Sequence, residues 1–82
     1  MTSFSRNLLA QVTPDVRKHV PGVCLMEAWI HCLDRRTQWE FHYGDFQWTG
    51  RAGDAYEARY NGWCAYLASL GVEGYAREVR RN

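Results

Sequence analysis

Gln38-Trp39-Glu40-Phe41-His42-Tyr43-Gly44-Asp45-Phe46-Gln47-Trp48-Thr49-Gly50 alternates large apolar and polar side chains on both sides of Gly44-Asp45. Alternation with a period of two marks half-buried strands, and Gly-Asp suits a two-residue hairpin turn that needs positive φ. A loop of that length fixes the register, with Tyr43 opposite Phe46 and Phe41 opposite Trp48. All the large aromatic rings then share one face, while Glu40, His42, Gln47 and Thr49 share the other. A lone two-stranded hairpin is marginal in water. The aromatic face therefore requires a third strand, a covering helix, or both.

The residues before the hairpin, 23–33, admit two readings. As a helix they place Met26, Trp29, Ile30 and Leu33 on one stripe. As a strand they put Cys24, Met26, Ala28, Ile30 and Cys32 on one face, with Glu27 and His31 among the residues on the other. Register favours the strand. With Asp34-Arg35-Arg36-Thr37 as a four-residue loop, Leu33 faces Gln38, and Cys32, Ile30 and Ala28 face Trp39, Phe41 and Tyr43. All three pairs fall on the aromatic face, whereas a one-residue slip would send every side chain to the wrong side. The expected sheet is a three-stranded antiparallel meander over about residues 23–33, 38–43 and 46–50.

Asp54-Ala55-Tyr56-Glu57 has the form of a capping box, with Asp54 as N-cap and Glu57 at the third helical position. The helix it opens is expected over about 54–70, ending at Gly71. Tyr56, Tyr60, Trp63, Cys64, Leu67 and Leu70 fall within about a third of its circumference, the width of a core-facing stripe. Shorter helices are expected over Ser3 to Val12, over Asp15 to Val20 after Thr13-Pro14, and over Glu73 to Arg81, where Tyr75 and Val79 face inward. The fold class is α+β, and 82 residues suffice for one compact domain, residues 1–82.

Composition narrows the function classes. A net charge of +1 argues against a broad electrostatic grip on nucleic acid or anionic lipid. With 46% hydrophobic and 23% charged residues the chain is neither disordered nor membrane-spanning in character. Its apolar runs fall far short of the ~20 residues that cross a bilayer. The N-terminus lacks the pattern of a secretory leader, so a cytoplasmic location is expected. Cys24, Cys32 and Cys64 form neither a disulfide framework nor a C-x-x-C pair, and all three read as reduced core thiols. The aromatic surplus, four Trp, five Tyr and three Phe, is absorbed largely by the core between meander and helix.

Trp29 is left over. The register places it on the open sheet face beside His42, with His31 opposite Glu40 and with Gln47 and Thr49 on the third strand. Such a face binds a partner, unless the N-terminal helices cover it. His31, Glu40 and His42 are also candidate metal ligands, but a structural zinc site takes four, and neither His19 nor any other residue is a convincing fourth; no metal or other cofactor is expected. A Cys-His dyad is opposed by geometry, the thiols lying on the core face and the imidazoles on the other. Gly50-Arg51-Ala52-Gly53 has glycines suited to holding an anion at a helix N-terminus, yet Asp54 occupies that cap, and the turn reads as a connector.

Two further surfaces are candidates. Arg35-Arg36 caps a protruding loop, and with Arg17-Lys18-His19 and with Arg77, Arg80 and Arg81 it would form a nucleic-acid footprint if the three clusters converged. The back of the long helix carries Ala58, Asn61, Gly62, Ala65, Ala68 and Ser69 without a charge. That smooth face, with Tyr66 at the edge of the stripe, is expected to meet a partner, a second copy or the C-terminal segment. Arginine at both Ala58 and Ala65 should then block association and spare the fold.

The expected function is non-catalytic: a small module that binds a protein through Trp29, His31, Glu40 and His42, the Arg35-Arg36 tip, or Ala58, Ala65 and Tyr66. Small arginine-biased chains without enzyme motifs are common among inhibitors carried by phages and mobile elements, including those acting on host defence complexes such as CRISPR. The alternative is a small nucleic-acid-binding regulator working through its arginine clusters.

Overall fold

A computed structural model describes residues 14–75. In chain order these form α1 (Val16–His19), a 3-10 turn (Leu25–Glu27), β1 (Trp29–Cys32), β2 (Gln38–Tyr43), β3 (Phe46–Arg51) and α2 (Ala55–Ser69). The helix expected over Ser3 to Val12 lies outside the described residues. So does the C-terminal helix beyond Tyr75; the described part, Glu73 to Tyr75, is a turn in which Tyr75 meets His19 edge-on at 5.9 Å.

The strands form an antiparallel meander in the order β1-β2-β3. Tyr43 pairs with Phe46 and Phe41 with Trp48 across a turn in which Gly44 has φ 59°, the left-handed conformation that favours glycine there. Ile30 pairs with Phe41 and Cys32 with Trp39. Leu33 N–H donates to the Gln38 carbonyl at 2.7 Å, closing the four-residue loop 34–37. Within that loop Asp34 Oδ1 accepts from the backbone N–H of Arg36, Thr37 and Gln38, each at 2.9 Å. Those bonds leave Arg35 as the pivot, with φ 68°.

β1 is shorter than the expected 23–33. β2 reaches its turn at Gly44, so residues before Ala28 have no strand to pair with. They peel away through the 3-10 turn, and Cys24 N–H donates to the Tyr43 hydroxyl at 3.1 Å. Cys24 is consequently exposed rather than buried, while Cys32 is half-buried and Cys64 buried.

The helix α2 is capped as its sequence requires. Asp54 Oδ1 accepts from Glu57 N–H at 2.8 Å, and Glu57 Oε1 accepts from Gly53 N–H at 2.7 Å. Its packing corrects the sequence reading. The part nearest the central strand is Gly62: a Cβ built there would lie 2.1 Å from Phe41 Cγ. Ala58 and Ala65, one turn on either side of Gly62, are buried with it, and Asn61 is buried and donates to the Arg51 carbonyl at 3.4 Å. Most of the charge-free face expected to meet a partner, Ala58, Asn61, Gly62 and Ala65, is therefore packed inside the fold, with Ala68 half-buried and Ser69 exposed. Trp63, Cys64 and Leu67 are also fully buried, but Tyr56 and Tyr60 are half-buried and Leu70 is 53% exposed. Within α2 only Glu57 and Ser69 are exposed. Because apolar residues run nearly all round the helix, periodicity singles out no face.

Between sheet and helix the rings interlock. Trp63 lies 5.0 Å from both Phe41 and Tyr43. Tyr66 meets Tyr43, Phe46 and Trp63 edge-on at 5.3, 5.4 and 5.6 Å. Trp48 folds over Gly50 on its own strand, where a Cβ would come within 2.3 Å of the indole.

Candidate binding face on the open side of the sheet

The register sorts six side chains opposite the helix into two rows. Trp29, His42 and Gln47 form one; His31, Glu40 and Thr49 form the other. Residues 29, 31, 40, 42, 47 and 49 share this face because side chains alternate along each strand and the aromatic set commits the opposite phase to the helix.

Trp29 lies flat on His42, with ring centroids 4.0 Å apart and planes 8° from parallel. His42 Nε2 is 3.3 Å from Glu40 Oε1, and Gln47 Nε2 donates to Glu40 Oε2 at 3.4 Å. Glu40 thus ties neighbouring strands and holds the imidazole from behind. The Trp29 indole rests on that support and stands 52% exposed. An aromatic ring held in place loses little conformational freedom on binding, which is what makes such residues effective anchors. His31 and Thr49 are exposed at the other row's ends.

The remaining candidates do not converge on this face. Arg35 and Arg36 are exposed at the loop joining β1 to β2, the far end of β1 from Trp29. Asp34 beside them is held at about 2, well below the usual carboxylate value, chiefly by the backbone N–H bonds from Gln38 and Arg36. Arg77, Arg80 and Arg81 lie outside the described residues. Ala58 and Ala65 are buried in the core, and Tyr66 belongs to the aromatic cluster under the helix. Arg59 on α2 is a group the sequence did not single out. Partial burial lowers its titration below the usual guanidinium range, and no acidic side chain pairs with it among the described residues.

Leu33 and Met26, near β1, and Leu70, at the end of α2, are exposed apolar side chains that sequence reasoning missed. Leu33 is 47% exposed and Met26 82%. Leu33 was legible, since it shares the odd phase of Trp29 and His31. Met26 was not, because extending the strand to residue 23 assigned it to the core.

Chemically this face offers one exposed aromatic ring among polar side chains. Cys32, on the other side of the sheet, has its Sγ 3.8 Å from Asp34 Oδ1. Among the described residues no group of three or more His, Cys, Asp or Glu is placed to hold a metal ion. A shallow hollow of about 250 Å³ is lined by Thr37, Arg51, Ala52, Gly53 and Glu57. There the Gly53 N–H that an anion would use is already taken by Glu57. No helix of the described residues is long and apolar enough to cross a membrane. No protein-family model, curated protein or solved structure matches the chain.

Proposed function

We propose that this protein is a non-catalytic binding module that engages a protein partner through the open sheet face, with Trp29 as anchor and His31, Glu40, His42, Gln47 and Thr49 around it. The observation that supports this reading is the exposed indole stacked on an imidazole that is itself held by a carboxylate. A rigid aromatic ring among polar neighbours has the anatomy of an interface hot spot. The class of partner that fits a small chain of this kind is a macromolecular complex which it occludes, as inhibitors carried by phages and mobile elements do to host defence assemblies, CRISPR complexes among them.

The test is a pull-down from the source cell in nuclease-treated and untreated arms, followed by affinity measurement on the captured protein with Trp29→Ala and His42→Ala. Trp29→Ala is expected to weaken binding by about thirtyfold, the loss typical of a hot-spot truncation near 2 kcal/mol, while thermal stability stays close to wild type. Unchanged affinity would sink the proposal. A second reading, nucleic-acid binding, rests on the exposed Arg35-Arg36 tip. It requires capture to disappear with nuclease and affinity to fall steeply with salt as counterions are released.

A further inference from the structure

Of the four large apolar side chains that stand exposed among the described residues, Trp29 lies in β1, Leu33 directly follows it, and Met26 lies in the 3-10 turn that precedes it. β1 is also an edge strand. The Leu33 to Gln38 bond fixes its hydrogen-bonding phase: Leu33, His31 and Trp29 bond to β2, and Ile30 and Cys32 fall at the pairs between. The N–H and C=O groups of Ile30 and Cys32 therefore point outward along the free edge, and no hydrogen bond among the described residues reaches them. The edge is short, four residues, but Trp29-Ile30-His31-Cys32 contains no proline or lysine and its register is continuous, so no proline, lysine or bulge blunts it.

We propose that β1 pairs antiparallel with β1 of a second copy, about a twofold axis through His31. In that register Ile30 of each copy faces Cys32 of the other, and the outward N–H and C=O groups of both copies satisfy one another completely, in about four hydrogen bonds. Centring the axis on Ile30 sets Cys32 against Ala28, and centring it on Cys32 sets Ile30 against Asp34; both leave groups facing residues outside the strand. The same register places Trp29 beside Leu33 of the second copy, twice over, so the exposed apolar side chains on this face flank one another. His31 meets its symmetry mate, with Glu40 of its own β2 on the other side. An isologous interface must be self-complementary in this way. The product is a six-stranded sheet whose two open faces merge, with both Trp29-His42 stacks on the same side. This surface is separate from the buried Ala58 and Ala65 flank.

Sedimentation equilibrium and light scattering on the full chain test the proposal. The expected result is a reversible rise in mass from 9.6 kDa toward twice that value with concentration. Trp29→Glu and Leu33→Lys are each expected to weaken the dimer at least tenfold. The double variant should recover most of that loss, because the introduced carboxylate faces the introduced ammonium across the axis, whereas within one chain the two positions are four residues apart. His31→Cys, made with Cys24→Ser and Cys32→Ser, should form a disulfide-linked dimer on oxidation, since the axis sets the two residues directly opposite. Circular dichroism confirms that each variant folds. A wild-type chain that stays monomeric up to its solubility limit overturns the proposal, as does a double variant no better than the singles.

Discussion

Gly62 sits where the helix comes nearest the sheet, and its missing side chain is what lets Phe41 be fully buried. Alanine in a helix is ordinarily favoured over glycine by about 1 kcal/mol. Here the added methyl would overlap a buried ring, and overpacking of that kind costs roughly 1–3 kcal/mol. The clash wins, because the ring has nowhere to retreat between Trp63 and Phe46. Gly62→Ala is expected to lower the thermal midpoint by several degrees, at about 4–8 °C per kcal/mol for a domain of this size; an unchanged or raised midpoint would mean that helix and sheet part freely. Asp34 acts at the same scale on the β1–β2 loop. Its folded titration at about 2 lies below the ordinary carboxylate value of 3.8, so its contribution to stability is fully present above 3.8 and is lost as pH falls toward 2. Asp34→Asn should flatten the stability profile in that window, as followed by denaturant midpoints at stepped pH, and a carboxyl carbon titration by NMR should place the wild-type midpoint near 2.

The elements differ in how legible they were. The β2–β3 hairpin and the register of β1 followed from sequence because a two-residue turn and a four-residue loop leave no freedom to slip. The extent of β1 did not, since alternation reports which face a residue would occupy, not whether a neighbouring strand is there to pair with it. Cys24 and Met26 keep the apolar phase beyond the point where β2 has ended. The bounds of α2 were readable from its capping box, but its orientation was not. Trp63, Cys64 and Leu67 of the expected stripe are buried, but the buried arc turns further, onto Ala58, Asn61, Gly62 and Ala65, because small residues allow close packing on a sheet crowded with rings. The open-face residues Trp29, His31, Glu40 and His42 follow from the same parity that finds the core; Ala58 and Ala65 do not face a partner because they are buried, and Tyr66 is half-buried in the aromatic cluster. Ala58→Arg is accordingly expected to cost several kcal/mol, since it forces a charge into a fully buried position. Against a total stability of about 5–15 kcal/mol, near-UV circular dichroism should show loss of fixed packing, and a folded variant would show that this flank can open.

For the whole molecule, the two layers divide the aromatic residues by role. One side of the sheet consumes rings to build a core; the other keeps a single indole on view. All four tryptophans lie within the described residues, and Trp63 and Trp48 are buried while Trp39 is half-buried with its Nε1–H donating to the Ala52 carbonyl at 3.1 Å. Trp29 alone is exposed. The chain therefore carries an intrinsic optical probe at its candidate interface: acrylamide should quench mainly the red edge of the emission, where a solvated indole contributes. A ligand seated on the open face would protect that fraction and shift it blue, so occupancy becomes measurable with no label attached and before the ligand has been identified.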